Sequence, residues 1–159
     1  MVGVIMGSRS DLPYMKPCAD TLEKLEIPFE IGVVSAHRTP DRMRNYAKNA
    51  DGRGLRVIIA CAGCSAHLPG MVASVTHLPV LGVSPKKSDK DAVGSMIAMP
   101  SGTPLVYMGG GSEPDKNAGA ENAALMSARI LALIDSEICK RLIDYRNKMS
   151  DSVPYSCFE

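Results

Sequence analysis

The 159-residue chain lacks several features that would assign it quickly to a class of protein. Its formal net charge is only +1, so nothing in the overall charge attracts it to nucleic acid or to an anionic membrane, and any anion binding must be local. Its apolar runs are too short to span a bilayer, and no basic-then-apolar leader precedes Val2, so we expect no membrane span and no secretory signal. The remaining composition, 45% hydrophobic and 22% charged, is that of an ordinary globular protein.

Aromatic residues and paired cysteines are scarce as well. The aromatic fraction is 4% and there is no tryptophan, so the core of one chain is modest and burial between subunits would add to it. The chain has five cysteines, an odd number, and is long enough to bury a core without disulfide bonds. We therefore expect reduced thiols and a cytoplasmic location.

Apolar segments that are typical of buried strands alternate along the chain with segments of helical periodicity. The strand-like segments are continuously apolar, which is the pattern that burial on both faces requires. This alternation predicts a three-layer α/β fold, a doubly wound parallel sheet of the flavodoxin or Rossmann type with helices on both faces. The predicted strands are Val2–Met6, Phe29–Ser35, Arg56–Ala62, Pro79–Val83 and Thr103–Met108.

The last third of the sequence predicts a long C-terminal helical segment. It runs from Ala120 to Lys148 with a break near Asp135, and its apolar residues cover more than one face, which suggests packing against a partner subunit as well as the sheet. Residues 150–159 show no periodicity, so we expect one catalytic domain over residues 1–149 followed by a loose tail. The polar, glycine-rich stretch Gly109–Gly119 suits either a solvated connection or a mobile lid.

Three loops follow the first three predicted strands and should meet at one edge of the sheet, where ligands bind in such folds. They are Gly7–Asp11, Ser35–Arg38 and Ala62–Leu68, and they hold two of the three histidines. The first loop joins a strand to a helix through small residues, so its N–H groups suit a phosphate or carboxylate, with a capped tight turn as the alternative. Asp11 suits either a helix cap or an acceptor for ligand hydroxyls.

The second loop places a proton carrier beside a permanent cation. His37 is suited to proton transfer near neutral pH, and Arg38 to holding an anion. The alternative is a histidine that only bonds the backbone at the end of a strand. Thr39, followed by Pro40, is the expected cap of the next helix.

The third loop contains a Cys-x-x-Cys pair, Cys61 and Cys64, followed by His67. This set resembles part of a zinc site or a redox pair, but a zinc ion needs a fourth partner and His77 is the only spare histidine. Cys61 should also lie within the buried strand. We therefore expect no metal, and a loop of small residues that brings backbone N–H groups close to a ligand.

Four motifs in order, "MGSRSD", "VVSAHRTPD", "AHLPGM" and "LPVLGV", resemble the N5-carboxyaminoimidazole ribonucleotide mutase family of purine biosynthesis. The resemblance extends from about Val2 to Val153 and includes "NAALMSARILA" late in the chain. It implies an isomerase that moves a carboxyl group from nitrogen to the imidazole carbon of a ribonucleotide. It also implies a homo-octamer that uses no metal and no organic cofactor and binds neither nucleic acid nor membrane.

The resemblance also implies roles for residues in the three loops. His37 is similar to the general acid/base of the family, while Ser8 resembles a phosphate ligand and Asp11 a ligand of the ribose hydroxyls. The remaining substrate-binding positions it implies are Ser10, Ser35, Ala36, Arg38, Ala62, Gly63, Cys64, Ser65, His67 and Leu68.

Three other functions compete with this interpretation. A sister class carboxylates aminoimidazole ribonucleotide directly with CO₂; it typically has Lys in place of Arg38 and lacks the motif His67–Gly70, so both features favour the mutases. Met99–Gly102 is closer to the sister class, and Cys64 stands where the mutases usually have Gly. The other two alternatives are a non-catalytic nucleotide-binding module and a thiol redox protein that uses Cys61 and Cys64.

Overall fold

The computed structural model describes residues 1–63, 66–86 and 90–155 and has the predicted three-layer α/β architecture. The strands are β1 (Val2–Met6), β2 (Phe29–Val33), β3 (Val57–Cys61), β4 (Val80–Lys86) and β5 (Val106–Gly111). The helices are α1 (Leu12–Lys24), α2 (Pro40–Lys48), α3 (His67–Ala73), α4 (Lys90–Ile97), α5 (Ala118–Ala132) and α6 (Ser136–Asp151). No helix in these ranges has both the length and the hydropathy needed to cross a membrane.

The sheet is parallel throughout, with the strand order β2-β1-β3-β4-β5. Val2 of β1 pairs with Phe29 of β2 on one side and with Val57 of β3 on the other. This is the flavodoxin-like order, and the fold prediction is confirmed. The strand that follows β1 lies on one side of it, and the later strands β3 to β5 lie on the other side. At such a switch point a crevice opens between the carboxyl ends of β1 and β3.

Successive side chains of the central strands pack into two separate cores. In β1, Val2, Val4 and Met6 face α1, α5 and α6, whereas Ile5 faces α2, α3 and α4. All residues of β1 and β3 are buried, as the continuous apolar pattern predicts. The edge strands differ, since Ile31 of β2 is 44% exposed and Val106 of β5 is 49% exposed.

The prediction of a solvated connection or lid over Gly109–Gly119 is wrong at the two ends of that stretch, which belong to β5 and α5. Strand β5 continues to Gly111, and Gly110 and Gly111 are buried. A Cβ atom on Gly119 would lie 2.3 Å from the carbonyl carbon of Gly109, so the glycines allow the start of α5 to approach the backbone of β5. Residues 112–116, which lie between the two elements, are exposed, as the prediction of a solvated connection requires.

The predicted break in the C-terminal helical segment is confirmed, and two helices replace one long helix. Helix α5 ends at Ala132, and Asp135 caps α6 by accepting hydrogen bonds from the N–H groups of Glu137 and Ile138 at 3.0 and 3.1 Å. Helix α6 continues to Asp151, beyond the expected start of the tail, and residues 156–159 lie outside the described ranges. At the break, Leu133 and Ile134 are 83% and 80% exposed.

Candidate active site

A cleft of about 550 Å³ lies at the carboxyl ends of β1, β2 and β3. Backbone hydrogen bonds hold the starts of its loops side by side. Gly7 N–H donates to the carbonyl of Cys61, and Val34 N–H donates to the carbonyl of Met6. Every site residue that the sequence predicts within the described ranges lines this cleft; Cys64 and Ser65 lie outside them. The lining residues are Gly7, Ser8, Ser10, Asp11, Ser35, Ala36, His37, Arg38, Ala62, Gly63, Ala66, His67 and Leu68.

The loop after β1 is closed by a capping box. The carboxylate of Asp11 accepts a hydrogen bond from Ser8 N–H at 3.0 Å, and the hydroxyl of Ser8 accepts one from Ser10 N–H at 3.3 Å. Asp11 therefore does act as a cap, while still lining the cleft. Desolvation raises the pKa of Asp11, although the Ser8 N–H, Ser10 and the nearby Arg38 guanidinium oppose that shift.

The loop after β2 is a turn built by Ser35 and Thr39. Thr39 precedes α2 as predicted, but its hydroxyl makes no capping bond; instead it donates to the carbonyl of Ser35 and accepts from Ser35 N–H, both at 3.0 Å. The guanidinium of Arg38 donates to the carbonyl of Gly7 at 3.1 Å and to the hydroxyl of Ser35 at 3.4 Å. Arg38 thus ties the second loop to the first and leaves a fixed positive charge in the cleft.

The loop after β3 turns sharply into α3 at Ala66. Ala66 has φ +38° and donates its N–H to the carbonyl of Gly63 at 3.1 Å. This left-handed conformation is uncommon for a residue other than glycine, and it is a strained position that the sequence pattern does not reveal. Leu68 and Pro69 are buried, so His67 is held at the first position of the helix with its side chain at the edge of the cleft.

The two histidines of the cleft are in direct contact. Nε2 of His37 lies 2.8 Å from Nδ1 of His67, and the rings meet edge to face with their centroids 4.9 Å apart. One nitrogen must donate and the other accept. The sequence places both residues at the same edge of the sheet, but it does not predict this hydrogen bond.

The described geometry disfavours the zinc and redox alternatives. Cys61 is fully buried in β3, and burial raises the pKa of its thiol well above the usual range, which makes it a poor ligand and a poor nucleophile. His77 precedes β4, at the opposite edge of the sheet, and pairs with Asp51 at 3.8 Å. It therefore cannot complete a metal site with Cys61.

The size of a cleft does not by itself identify the site. A groove of about 520 Å³ lies where α1 ends, beside α6. There, Arg141 is bound to the carbonyl of Leu25 at 2.7 Å and contacts Glu26 at 3.8 Å. The cleft at the strand ends differs because two imidazoles and a guanidinium converge in it.

Comparisons with known proteins give the same picture over the whole chain. Residues 1–152 match the family described as AIR carboxylase. The chain is 49% identical to the N5-carboxyaminoimidazole ribonucleotide mutase of Thermotoga maritima, an alignment that covers 96% of this chain and 86% of the relative. Its identity to the Pseudomonas aeruginosa mutase is also 49%, with 96% and 93% covered.

A solved structure agrees with the arrangement of strands and helices. The crystal structure of Treponema denticola PurE superposes with a TM-score of 0.81 at 28% identity, covering 94% of this chain and 91% of that one. A parallel sheet in the flavodoxin-like order, a cleft lined by the predicted loops and a match that spans 1–152 all lead to one assignment. The chain belongs to the AIR carboxylase family.

Proposed function

We propose that this chain is an N5-carboxyaminoimidazole ribonucleotide mutase, an isomerase of purine biosynthesis. The observation that carries the proposal is the 49% identity, over nearly the whole chain, to mutases whose own length is largely covered. The mutase motifs of the sequence, Arg38 and His67–Gly70, add to it. His37 then carries protons within the cleft, and no metal or organic cofactor takes part.

The reaction needs two proton transfers, one from His37 to the substrate and one from the substrate to His37. The carbamate nitrogen takes a proton from His37 as its C–N bond breaks and CO₂ leaves. The ring carbon then attacks CO₂, and the new C–C bond is retained when that carbon gives its proton back to His37. The cycle consumes no proton overall, and a closed cleft must keep CO₂ close to the ring carbon between the two steps.

The anionic and polar parts of the substrate fit the three loops. The amides of Ser8 and Ser10 are already bonded within the capping box, and the Ser10 hydroxyl donates to the Ser8 hydroxyl at 2.9 Å. The Ser8 hydroxyl proton and the guanidinium of Arg38 are therefore the donors that turn to the phosphate, with Ser10 beside them. Asp11 accepts hydrogen bonds from the ribose. The base and carboxyl lie against the remaining predicted positions, Ser35, Ala36, Ala62, Gly63, Cys64, Ser65, His67 and Leu68.

Direct carboxylation is the second candidate, because some relatives carry that name. The phosphoribosylaminoimidazole carboxylases of Candida glabrata and Schizosaccharomyces pombe are each 44% identical to this chain, which covers 26% and 27% of their length. The mutase relatives are more similar and are covered almost completely, so we favour the mutase reaction.

One experiment separates the two reactions. The purified protein is given unlabelled N5-carboxyaminoimidazole ribonucleotide in ¹³C-bicarbonate, and separately aminoimidazole ribonucleotide with the same bicarbonate. A mutase converts the first substrate to an unlabelled product faster than it forms a labelled one. Turnover of the second substrate alone would establish a carboxylase, and binding without turnover would establish a nucleotide-binding module. His37→Asn serves as the inactive control.

We also propose a homo-octamer that works in the cytoplasm on its small-molecule substrate. The exposed apolar residues at the helix break and on the edge strands support burial between copies of the chain. The free cysteines Cys18, Cys61 and Cys139 suit a reducing compartment.

A further inference from the structure

The hydrogen bond between the two cleft histidines decides which nitrogen of His37 can reach a ligand. Nε2 of His37 lies 2.8 Å from Nδ1 of His67, so it cannot contact a substrate without breaking that bond. Among the described residues, Nδ1 of His37 has no hydrogen-bond partner. Nδ1 is therefore the atom of His37 that remains available to exchange a proton.

The direction of this hydrogen bond determines which nitrogen of a neutral His37 carries the proton. If His67 donated, Nδ1 of a neutral His37 would already carry its proton, so His37 could not accept another there and could not act as a base. If His37 donates, Nδ1 is a free base. Its protonation gives an imidazolium whose Nε2–H still points at the same acceptor. Only this second direction preserves the hydrogen bond in both protonation states of His37.

We propose that His67 is a positioning residue that acts through His37. Its Nδ1 accepts the Nε2 proton of His37 throughout the reaction and leaves Nδ1 of His37 as the single proton-exchanging atom. The inference rests on the proposed mutase function. The imidazolium gives its Nδ1 proton to the amine nitrogen as CO₂ leaves, and the bare Nδ1 takes the ring-carbon proton after the C–C bond has formed.

The loops hold both imidazole rings in the positions that this hydrogen bond requires. The reciprocal bonds of Ser35 and Thr39 brace the turn that carries His37, and the buried residues that follow His67 fix the start of α3. Two charged side chains line the same cleft, Arg38 and Asp11, and neither takes the place of His67. Arg38 has no acceptor atom, and the Asp11 carboxylate contacts Ser8 N–H rather than His37, so His67 is the acceptor that the described residues offer to Nε2 of His37.

The first test measures the hydrogen bond directly in the unliganded protein. With three histidines in the chain, ¹⁵N-histidine labelling gives a simple spectrum, and His77→Gln assigns one ring by elimination. We expect the ¹⁵N shifts of His37 to report a protonated Nε2 and a bare Nδ1, with a ¹⁵N–¹⁵N coupling across the bond to His67. A His37 protonated at Nδ1 instead, or no coupling, would overturn the inference.

The second test compares two side chains of similar size at position 67. In His67→Asn the amide oxygen replaces Nδ1 as the acceptor, whereas His67→Leu fills the space without one. We expect the Leu variant to lose about 10- to 100-fold in kcat with KM within about threefold, and the Asn variant to recover most of that loss. Equal losses in both variants, or a raised KM with unchanged kcat, would overturn the inference.

The controls separate this inference from the proposed function. His77→Gln, at the opposite edge of the sheet, should leave kcat unchanged. If the wild-type protein fails to convert the carbamate ribonucleotide, the proposed function fails, while the spectrum still decides the direction of the hydrogen bond. If turnover is normal but His37 is protonated at Nδ1 in the spectrum, the inference alone is wrong.

Discussion

Thr39 and Ser35 hydrogen-bond to each other twice, once in each direction. The Thr39 hydroxyl donates to the carbonyl of Ser35 and accepts from its N–H, both at 3.0 Å, so one hydroxyl closes the turn that carries His37 and Arg38. We expect Thr39→Val, which keeps the shape, to cost about 1 kcal/mol of stability and about tenfold in kcat/KM, because the Ser35 N–H loses its acceptor. Thr39→Ser should restore both in denaturant titrations and turnover assays. Equal activity in the Val and Ser variants would contradict the role of the hydroxyl.

The role of His37 predicts a loss of chemistry without a loss of binding. His37→Asn should reduce turnover to background while substrate affinity, measured by calorimetry, stays within about tenfold, because the contacts of Ser8 and Arg38 with the anion remain. Near-normal activity in this variant would show that another group carries the proton.

The raised pKa of Asp11 predicts a conflict between stability and binding. Burial favours the protonated carboxyl, so the folded chain binds more protons than the unfolded chain between pH 3.8 and the raised value, and stability falls as pH rises through that window. Asp11→Asn should therefore melt at a higher temperature than the wild type at pH 7. The difference should shrink as the pH is lowered toward 4, while substrate affinity drops. A lower melting temperature for the variant at pH 7 would show that the charged capping bond outweighs desolvation.

Most of the fold and the placement of the site could be predicted because both depend on local sequence patterns. Alternating apolar and helical segments lead to a parallel sheet, and in a parallel sheet the loops after β1, β2 and β3 must meet at one edge. The pairing of His37 with His67 depends on ring orientation, which the left-handed Ala66 and the Ser35–Thr39 turn set together. No single stretch of sequence carries that information.

At the two ends of the glycine-rich stretch the prediction is wrong for a different reason. A run of glycines is typical of a flexible connection, but glycine also permits close backbone packing, and only the three-dimensional structure distinguishes the two. Here the second use applies, where β5 meets α5.

The contact between Gly109 and Gly119 predicts a severe effect for a single methyl group. A Cβ on Gly119 would lie 2.3 Å from the carbonyl carbon of Gly109, and the backbone there cannot move aside as a flexible side chain would. Gly119→Ala should cost about 3 kcal/mol or more. The matched control is Gly94→Ala, in the interior of α4 with nothing within 4 Å, which should gain about 0.5–1 kcal/mol. Denaturant titration of both variants decides whether the close approach persists in solution.

The exposed apolar residues at the helix break predict assembly. Light scattering should give a mass about eight times that of the 16.9 kDa chain. Replacing Leu133 and Ile134, 83% and 80% exposed, by Asp should reduce that mass at micromolar concentration, because buried carboxylates oppose association. A monodisperse, fully active single chain would rule out the octamer.

The bond between His37 and His67 joins residues that are 30 positions apart. The Ser35–Thr39 turn is short-range and can form early, but the two imidazoles meet only after β1 has paired with both β2 and β3. A collapsed intermediate with correct helices but unpaired strands would contain His37 and His67 without the hydrogen bond between them. Recovered turnover after dilution from denaturant therefore reports complete pairing of the central strands, a more demanding measure of refolding than the return of helical circular dichroism.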